Sequence, residues 1–499
     1  MKSINKSGFS FLSFYPDVVR KPFLVLIALK IFLSLLFGIL LLFLHSCKKL
    51  VAVPPPENSI TTTQSFSSDA LAKAAMTGVY YNMINANGDN FFNGAITIYT
   101  GTSSDELSFF LRTVQDNIQF NDNNVTAING RILNSFWNNA YSIIYSANAV
   151  IDGLNISGDI SDSVKNELIG EAKFVRALCN FYLTNLFGDI PVINDINWRN
   201  SRLLSRTSTT DVYQQIVSDL LDAQSKLTAD FSVGKGQRII PTKWAASALL
   251  ARAYLYLQRW TNAEEQSNTV ISNTTLFSLV PVLKNVFKPN NSEAIWQLQQ
   301  SNTTATYNAT NEGYRIIPYD ATSRPFIYLT DTLLKSFESD DERRSDWVDS
   351  TIYNSITYYY PKKYTTGSSQ STPNGAYNEY YMVLRLAEQY LIRAEARAQQ
   401  NKLPEAISDL NEIRFRAGLQ SYSGPTDNRD SIMHAIIREK QVEFFAEWAH
   451  RWFDLKRWNE ADEILGQNKG ANWQTTDQLY PIPLREIQSN PNLTQNLGY

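Results

Sequence analysis

The sequence predicts a mainly α-helical fold built from pairs of antiparallel helices, interrupted by two irregular segments. Three observations support this prediction. Apolar residues recur at helical spacing along most of the chain after residue 66. Two helix pairs share one spacing of small residues. Two long stretches lose the helical period and are rich in polar and aromatic residues. Helices therefore form the frame, and the irregular stretches are insertions into it.

The N-terminus carries a basic segment followed by an apolar run. Four basic residues precede residues 23–44, which are apolar except for Lys30, and this order is typical of a secretory leader. The uncharged part, residues 31–44, is shorter than the about 20 residues that a helix needs to span a bilayer. The apolar run counted from Phe23 is long enough to span, provided that the Lys30 side chain reaches toward the membrane surface. Hydrophobic length alone leaves spanning and cleavage both open.

Residues 44–47, Leu-His-Ser-Cys, resemble the lipobox of bacterial lipoproteins, in which the cysteine becomes a lipidated N-terminus. We therefore predict that residues 1–46 are a lipoprotein signal peptide and that Cys47 is acylated. Palmitate is expected among its acyl chains. A retained signal anchor is the alternative. Durable attachment needs more than one acyl chain, because each buried methylene contributes about 0.8 kcal/mol. Residues 47–66 combine three prolines with a Ser/Thr-rich stretch and are predicted to be a flexible tether.

The charge and cysteine content argue against a nucleic-acid-binding protein and against a reactive thiol. Residues 1–46 hold five basic residues and one acidic residue, so their removal takes the formal net charge from −3 to about −7. This acidic body offers no concentrated Lys/Arg face, which nucleic-acid binding requires. Cys179 lies among apolar residues and is predicted to be a buried, unreactive side chain.

Helical periodicity predicts nine helices. In two successive pairs of them, alanines stand twelve residues apart, Ala251 with Ala263 and Ala394 with Ala406. Small residues at this spacing let two antiparallel helices approach closely, as in tetratricopeptide (TPR) repeats. Pro404 fits the start of the last of these helices. The predicted helices lie near residues 69–84, 131–153, 161–187, 209–227, 242–258, 260–272, 382–400, 404–417 and 430–460.

The irregular segments lie near residues 88–125 and 275–380. Within the second, residues 294–299 and 356–360 are predicted strands, since they are rich in β-branched and aromatic side chains. Long irregular segments on a rigid frame often carry the binding surface. We therefore expect any ligand to contact these two segments.

Several stretches of the chain carry a recognisable family pattern. They are TSSDEL at 102–107, GEAKFVRALCNFYLTNLFGDIPV at 170–192, SEAIWQL at 292–298, IREKQVEFFAEWAHRWFDLKRW at 437–458 and LYPIPLREIQSNPNLTQNLGY at 479–499. Together they resemble the SusD/RagB family of nutrient-uptake outer-membrane lipoproteins. Ala449 stands where this family frequently has glycine, and Leu497 where it often has proline.

The resemblance implies a single domain over residues 67–499, a right-handed TPR-like superhelix of helix pairs with a loop-rich, mixed α/β subdomain. It implies a binding protein rather than an enzyme, lipid-anchored in the outer membrane and facing the cell surface. The implied partner is a SusC-like TonB-dependent transporter, and the implied ligand is an oligosaccharide. Peptide capture is the alternative within the family. A TPR-type assembly adaptor without a small-molecule ligand and, last, a surface glycoside hydrolase are the alternatives outside it.

Sugar binding uses flat aromatic faces together with amide or carboxylate groups that bind hydroxyls. The irregular segments supply both, although each aromatic residue could instead be buried in the core or at the transporter interface. Strand alternation places Tyr358 and Tyr360 on one face and Tyr359 on the other. The predicted ligand-binding residues are Phe91, Phe92, Phe109, Phe110, Trp347, Tyr358, Tyr360 and Tyr364, with Asn90, Asp105, Asn121 and Asn123 as polar partners.

No residue pattern indicates catalysis, a metal or a cofactor. His434 and His450 lie sixteen residues apart without a neighbouring cysteine, which is not a metal-ligand spacing. The carboxylates at 105–106 and 340–342 are adjacent in sequence, which is typical of solvated turns rather than of a hydrolytic pair.

A charge series runs from Arg438 to Asp454 at intervals of three and four residues. On one helix this spacing places opposite charges on adjoining turns. We predict that these ions stabilise the fold and that Arg451→Ala destabilises the protein without removing a ligand contact.

Overall fold

The structure, a computed structural model, describes residues 20–44, 62–85 and 88–499 and divides the chain into two units, Met1–Thr61 and Thr62–Tyr499. In the first unit the described part is helix α1 (Arg20–Leu44). Among the described residues, no helix is long and apolar enough to cross a membrane. Cys47, the predicted lipidation site, and residues 48–61 of the predicted tether lie outside the described residues.

The second unit is mainly helical, as the sequence predicts. Its helices up to residue 271 are α2 (Thr62–Ser65), α3 (Asp69–Ile84), α4 (Ala95–Ser103), α5 (Gln115–Asn121), α6 (Asn139–Ile156), which continues from a π-helix over Arg131–Asn138, α7 (Asp162–Phe187), α8 (Trp198–Ser201), α9 (Thr209–Lys226), α10 (Lys243–Tyr256) and α11 (Trp260–Ile271). The later helices are α12 (Asn311–Ile316), α13 (Asp331–Leu334), α14 (Glu342–Asp346), α15 (Leu386–Gln399), α16 (Leu403–Arg416), α17 (Arg429–Phe444), α18 (His450–Arg457), α19 (Ala461–Lys469) and α20 (Leu484–Ser489).

Successive helices pack against each other along the chain: α6 on α7, α7 on α9, α9 on α10, α10 on α11, α11 on α15 and α15 on α16. The connections at 257–259 and 400–402 are three residues long, so the helices they join must run antiparallel. The four alanines of the twelve-residue spacing are completely buried. This confirms the predicted frame of TPR-like helix pairs.

Local sequence signals fix several helix ends. Ser68 and Ser208 accept backbone N–H groups at the starts of α3 and α9, and Asn428 does the same for α17; such caps satisfy donors that have no partner within the helix. Pro404 lies in the first turn of α16, where its missing N–H costs nothing.

Over the described residues, three two-stranded antiparallel sheets form the mixed subdomain. The strands are β1 (Leu107–Phe109), β2 (Ala294–Leu298), β3 (Ile327–Leu329), β4 (Val348–Tyr353), β5 (Ile356–Pro361) and β6 (Tyr381–Arg385). β1 pairs with β3, β2 with β6, and β4 with β5. The predicted strands at 294–299 and 356–360 are confirmed as β2 and β5. Asn354 and Ser355 both have positive φ, as a two-residue hairpin turn requires.

Two predicted helices are wrong in part. The helix predicted over 382–400 begins as strand β6, because this segment pairs with β2, and α15 starts only at Leu386. The helix predicted over 430–460 is two helices, because Ala446, Trp448 and Ala449 adopt positive φ between α17 and α18. Tertiary contacts hold this break: the Trp448 indole donates to the Met382 carbonyl at 2.6 Å.

The charge series pairs mainly with other elements rather than along one helix. The Glu443 carboxylate accepts from Arg343 at 2.9 Å and from Arg385 at 2.5 Å, and it also contacts Arg416. Arg451 donates two hydrogen bonds of 2.8 Å to Asp105. These pairs are buried, so they connect α17 and α18 to the rest of the fold.

Candidate ligand-binding surface

Eight of the predicted ligand-binding side chains are buried. They are Phe91, Phe92, Asp105, Phe109, Asn123, Trp347, Tyr360 and Tyr364. The ring of Phe91 meets those of Phe92 and Phe136 edge to face at 4.9 and 6.1 Å, within the main hydrophobic core. The Trp347 indole donates to the Leu283 carbonyl at 3.0 Å. The core and its internal hydrogen bonds and ion pairs occupy these side chains, except that the Trp347 ring also lines a cavity.

Polar candidates also serve the fold. Asp105 is engaged by Arg451, and the Asn123 amide donates to the Ser103 carbonyl at 3.1 Å. Asn121 is half-buried and accepts from the Phe109 backbone N–H at 3.2 Å and from the Ser108 hydroxyl at 2.9 Å, so it holds the end of β1. Asn90, also half-buried, forms backbone hydrogen bonds with Asn93.

The structure brings together two candidates from segments far apart in the sequence, Phe110 and Tyr358. Their ring centroids lie 5.3 Å apart. Tyr353 lies 5.5 Å from Phe110 on the other side, and Tyr328 lies 5.3 Å from Tyr358. We call these four residues, Phe110, Tyr328, Tyr353 and Tyr358, the aromatic platform. All four are half-buried.

Strand register explains why the aromatic platform forms. β1 places Ser108 opposite Tyr328, and the Phe110 N–H continues this pairing by donating to the Phe326 carbonyl at 3.1 Å. In the β4–β5 hairpin Thr351 lies opposite Tyr358, so strand alternation puts Tyr353 on the same face as Tyr358. Since β3 also packs on β5, the four rings converge.

The aromatic platform has the groups that sugar binding needs. Within the described part of the chain, the hydroxyls of Tyr328, Tyr353 and Tyr358 have no hydrogen-bond partner, so they remain available to ligand hydroxyls. Beyond Phe110 along the chain, Arg112 and Asp122 form a 2.5 Å ion pair in which the arginine side chain is 53% exposed. Half-exposed rings whose hydroxyls are available to a ligand are typical of a carbohydrate-contact surface.

Sequence reasoning missed Tyr328 and Tyr353. Tyr353 stands in a strand with a detectable period: VDSTIY at 348–353 precedes the Asn354-Ser355 turn and the strand ITYYYP. Reading 348–361 as a hairpin with a two-residue turn would have placed Tyr353 beside Tyr358. For Tyr328, in a three-residue strand, the sequence holds no comparable signal.

A cavity of about 790 Å³ lies at the other end of the same hairpin. Its lining includes Trp347, Asp349 and the lysines at 284, 288, 362 and 363. Lys363 is buried, with its ammonium 4.7 Å from the Trp347 ring and 2.5 Å from a Glu447 oxygen. Burial lowers the pKa of Lys363 to about 8.

Comparison with known proteins identifies the family. A sequence model described as the SusD family matches residues 348–499, and one described as "Starch-binding associating with outer membrane" matches residues 55–255. Together the two matches cover most of the second unit, Thr62–Tyr499, which we call the compact unit. The chain belongs to the SusD/RagB family, which the second description associates with the outer membrane.

Curated relatives agree with this assignment. SusD-like protein P2 of Formosa agariphila is 28% identical over 92% of this chain and 98% of its own length. The starch-binding protein SusD of Bacteroides thetaiotaomicron is 34% identical over 23% of this chain and 21% of its own length.

Solved structures share the fold. A SusD superfamily protein from Bacteroides vulgatus superimposes with a TM-score of 0.77 at 22% identity, over 86% of this chain and 99% of its own. A laminarin-binding SusD-like protein gives 0.70 at 23% identity, over 86% and 99%. Surface glycan-binding protein A from Bacteroides uniformis gives 0.72 at 20% identity, over 86% and 99%. The last two of these structures are named for binding laminarin and surface glycan, and at this level of identity the likeness shows that they share the fold of this chain.

Proposed function

We propose that this protein captures an oligosaccharide at the outer membrane and delivers it to a SusC-like TonB-dependent transporter. Family membership supports this, since relatives are named for binding starch, laminarin and surface glycans. The observation that carries the proposal is the aromatic platform: four half-buried rings converge where the two irregular segments meet. Apolar ring faces and free phenol hydroxyls suit a sugar, which presents C–H surfaces and hydroxyls together.

The anchor and the orientation belong to the same proposal. Acylation of Cys47 would hold the folded unit at the membrane, with residues 48–61 as the connection. The anchored protein would face the cell surface. Mass spectrometry of the membrane-extracted protein tests the cleavage before Cys47 and its acylation. We expect an N-terminus at Cys47 that carries acyl chains, whereas an intact residue 1–46 segment with a free thiol would contradict it.

A binding screen tests the ligand class. The soluble chain over residues 50–499, which contains the whole compact unit, is assayed against a panel of polysaccharides and peptides by affinity electrophoresis and calorimetry. Tyr358→Ala is expected to weaken glycan binding roughly two- to tenfold, because one aromatic contact contributes about 0.5–1.5 kcal/mol. Tyr145→Ala is the matched control, since Tyr145 is an exposed tyrosine on α6.

The outcomes of this screen separate the alternatives. Glycan binding that weakens in Tyr358→Ala but is unchanged in Tyr145→Ala supports the proposal. Peptide binding alone would identify a peptide-capturing member of the family, and no binding to either class would favour an assembly adaptor. The partner is tested separately, by isolating the anchored protein from membranes: a co-purifying outer-membrane barrel is expected, and its absence would refute the delivery step.

A further inference from the structure

The 790 Å³ cavity has a charge pattern that the aromatic platform lacks. Four lysines line it, at positions 284, 288, 362 and 363, and we call it the lysine cavity. Its inner wall is formed by the buried rings of Phe287 and Trp347, and its rim carries exposed polar groups at Ser345, Thr365 and Asn378.

Three of the four lysines already have carboxylate partners. Lys363 is paired with Glu447 and is buried. Lys284 lies 3.4 Å from Asp346, and its side chain is 70% exposed. Lys362 is paired with Asp349, and both side chains are about two-fifths exposed. Lys288 is exposed and, in the part of the chain that the structure describes, forms no ion pair.

The acidic residues of the lysine cavity do not offset Lys288. Asp346 and Asp349 are used by the two pairs on the rim. Glu379 is buried, and its carboxylate accepts the Thr365 N–H at 2.6 Å and the Thr366 N–H at 3.3 Å. The Glu379 carboxylate is thus held by backbone N–H groups and has no lysine partner among the described residues. Lys288 is therefore the cavity lysine that no carboxylate of the described residues pairs with.

We propose that the lysine cavity binds an anionic sugar unit, one that bears a carboxylate or a sulfate, with Lys288 as the main contact. Exposed ion pairs add little stability, so an incoming anion can draw Lys284 or Lys362 from its aspartate at little cost. Ser345, Thr365 and Asn378 supply hydrogen bonds for the ring hydroxyls. This inference rests on the proposed function, because it names the class of glycan that the protein captures.

The lysine cavity and the aromatic platform are separate sites. Asp349 lies at the cavity and Tyr353 at the platform, four residues apart along β4. At about 3.3 Å per strand residue the separation is about 13 Å. Thr351 lies between them and is buried. Changing Lys288 therefore leaves the aromatic contacts in place, which allows the two sites to be tested independently.

Calorimetry with matched charged and uncharged ligands tests the proposal on the soluble chain over residues 50–499. The carboxylate probe is oligogalacturonate, with its methyl ester as the neutral form, and the sulfate probe is a carrageenan oligosaccharide, with its desulfated form. We expect the charged form of one probe to bind roughly two- to fivefold more tightly than the neutral form, because the contact with exposed Lys288 is itself an exposed ion pair and such pairs are weak.

Variants at one position assign that preference. Lys288→Gln should remove most of it and Lys288→Arg should keep it, while Lys335→Gln, at another exposed lysine without an ion pair among the described residues, should change nothing. Equal binding of charged and neutral forms, or a preference that survives Lys288→Gln, would overturn this inference and leave the proposed function intact. Failure of every glycan to bind would overturn both.

Discussion

Replacing Arg451 by alanine should destabilise the fold strongly. The guanidinium donates to both oxygens of Asp105 at 2.8 Å, and the side chains are 6% and 0% exposed. Alanine would leave the Asp105 carboxylate buried without a cation. Breaking a buried pair by removing one partner costs about 3–5 kcal/mol, and we expect a loss of that size in the free energy of unfolding, measured by urea denaturation.

A double replacement distinguishes lost pairing from lost packing. Arg451→Met combined with Asp105→Asn removes both charges and keeps most of the volume, so the double variant should be clearly more stable than Arg451→Ala. Glycan affinity of the folded fraction should stay unchanged in both variants, because neither residue reaches the aromatic platform or the lysine cavity. Unchanged stability together with lost glycan binding would refute the reasoning and return Asp105 to the ligand site.

Three further predictions concern the fold. Burial raises the pKa of Glu106 to about 8. The folded state therefore keeps a proton that the unfolded chain releases near pH 4.5. As the pH rises from 4.5 to 8, the free energy of unfolding should fall by a few kcal/mol at most. Glu106→Gln should flatten this slope in urea titrations at several pH values, and an unchanged slope would contradict it. Phe66 is buried with its ring over Gly153, so Phe66→Ala should cost about 3–5 kcal/mol in the same assay, whereas no loss would show that the fold begins later. Ala449 has φ 65°, so Ala449→Gly should raise the unfolding free energy by about 1 kcal/mol; a decrease would mean that its methyl contacts outweigh the strain.

The helical frame was predictable because its signals are local. Helical periodicity and Pro404 act within a few residues, and the alanine spacing acts within one helix pair; the structure confirms most of the helices that these signals predict. The break between α17 and α18 was not predictable from the sequence, because residues 445–449 carry no glycine or proline. Their positive φ values are held by distant partners, such as the Met382 carbonyl for Trp448, and sequence periodicity does not report such contacts.

The candidate site was predictable only in part. Aromatic content located the two irregular segments but did not separate rings of the core from rings at the surface. Phe109 is buried and Phe110, the next residue, is half-buried, because consecutive residues of β1 and its extension point to opposite sides. Which side faces solvent depends on β3, which lies more than two hundred residues further along the chain.

The most direct test of the account is a crystal structure of residues 50–499 with an oligosaccharide identified in the binding screen. We predict that a sugar ring contacts Phe110, Tyr353 or Tyr358, with its hydroxyls near the free phenol groups. A sugar bound elsewhere, with the aromatic platform in contact with solvent alone, would contradict the proposed site.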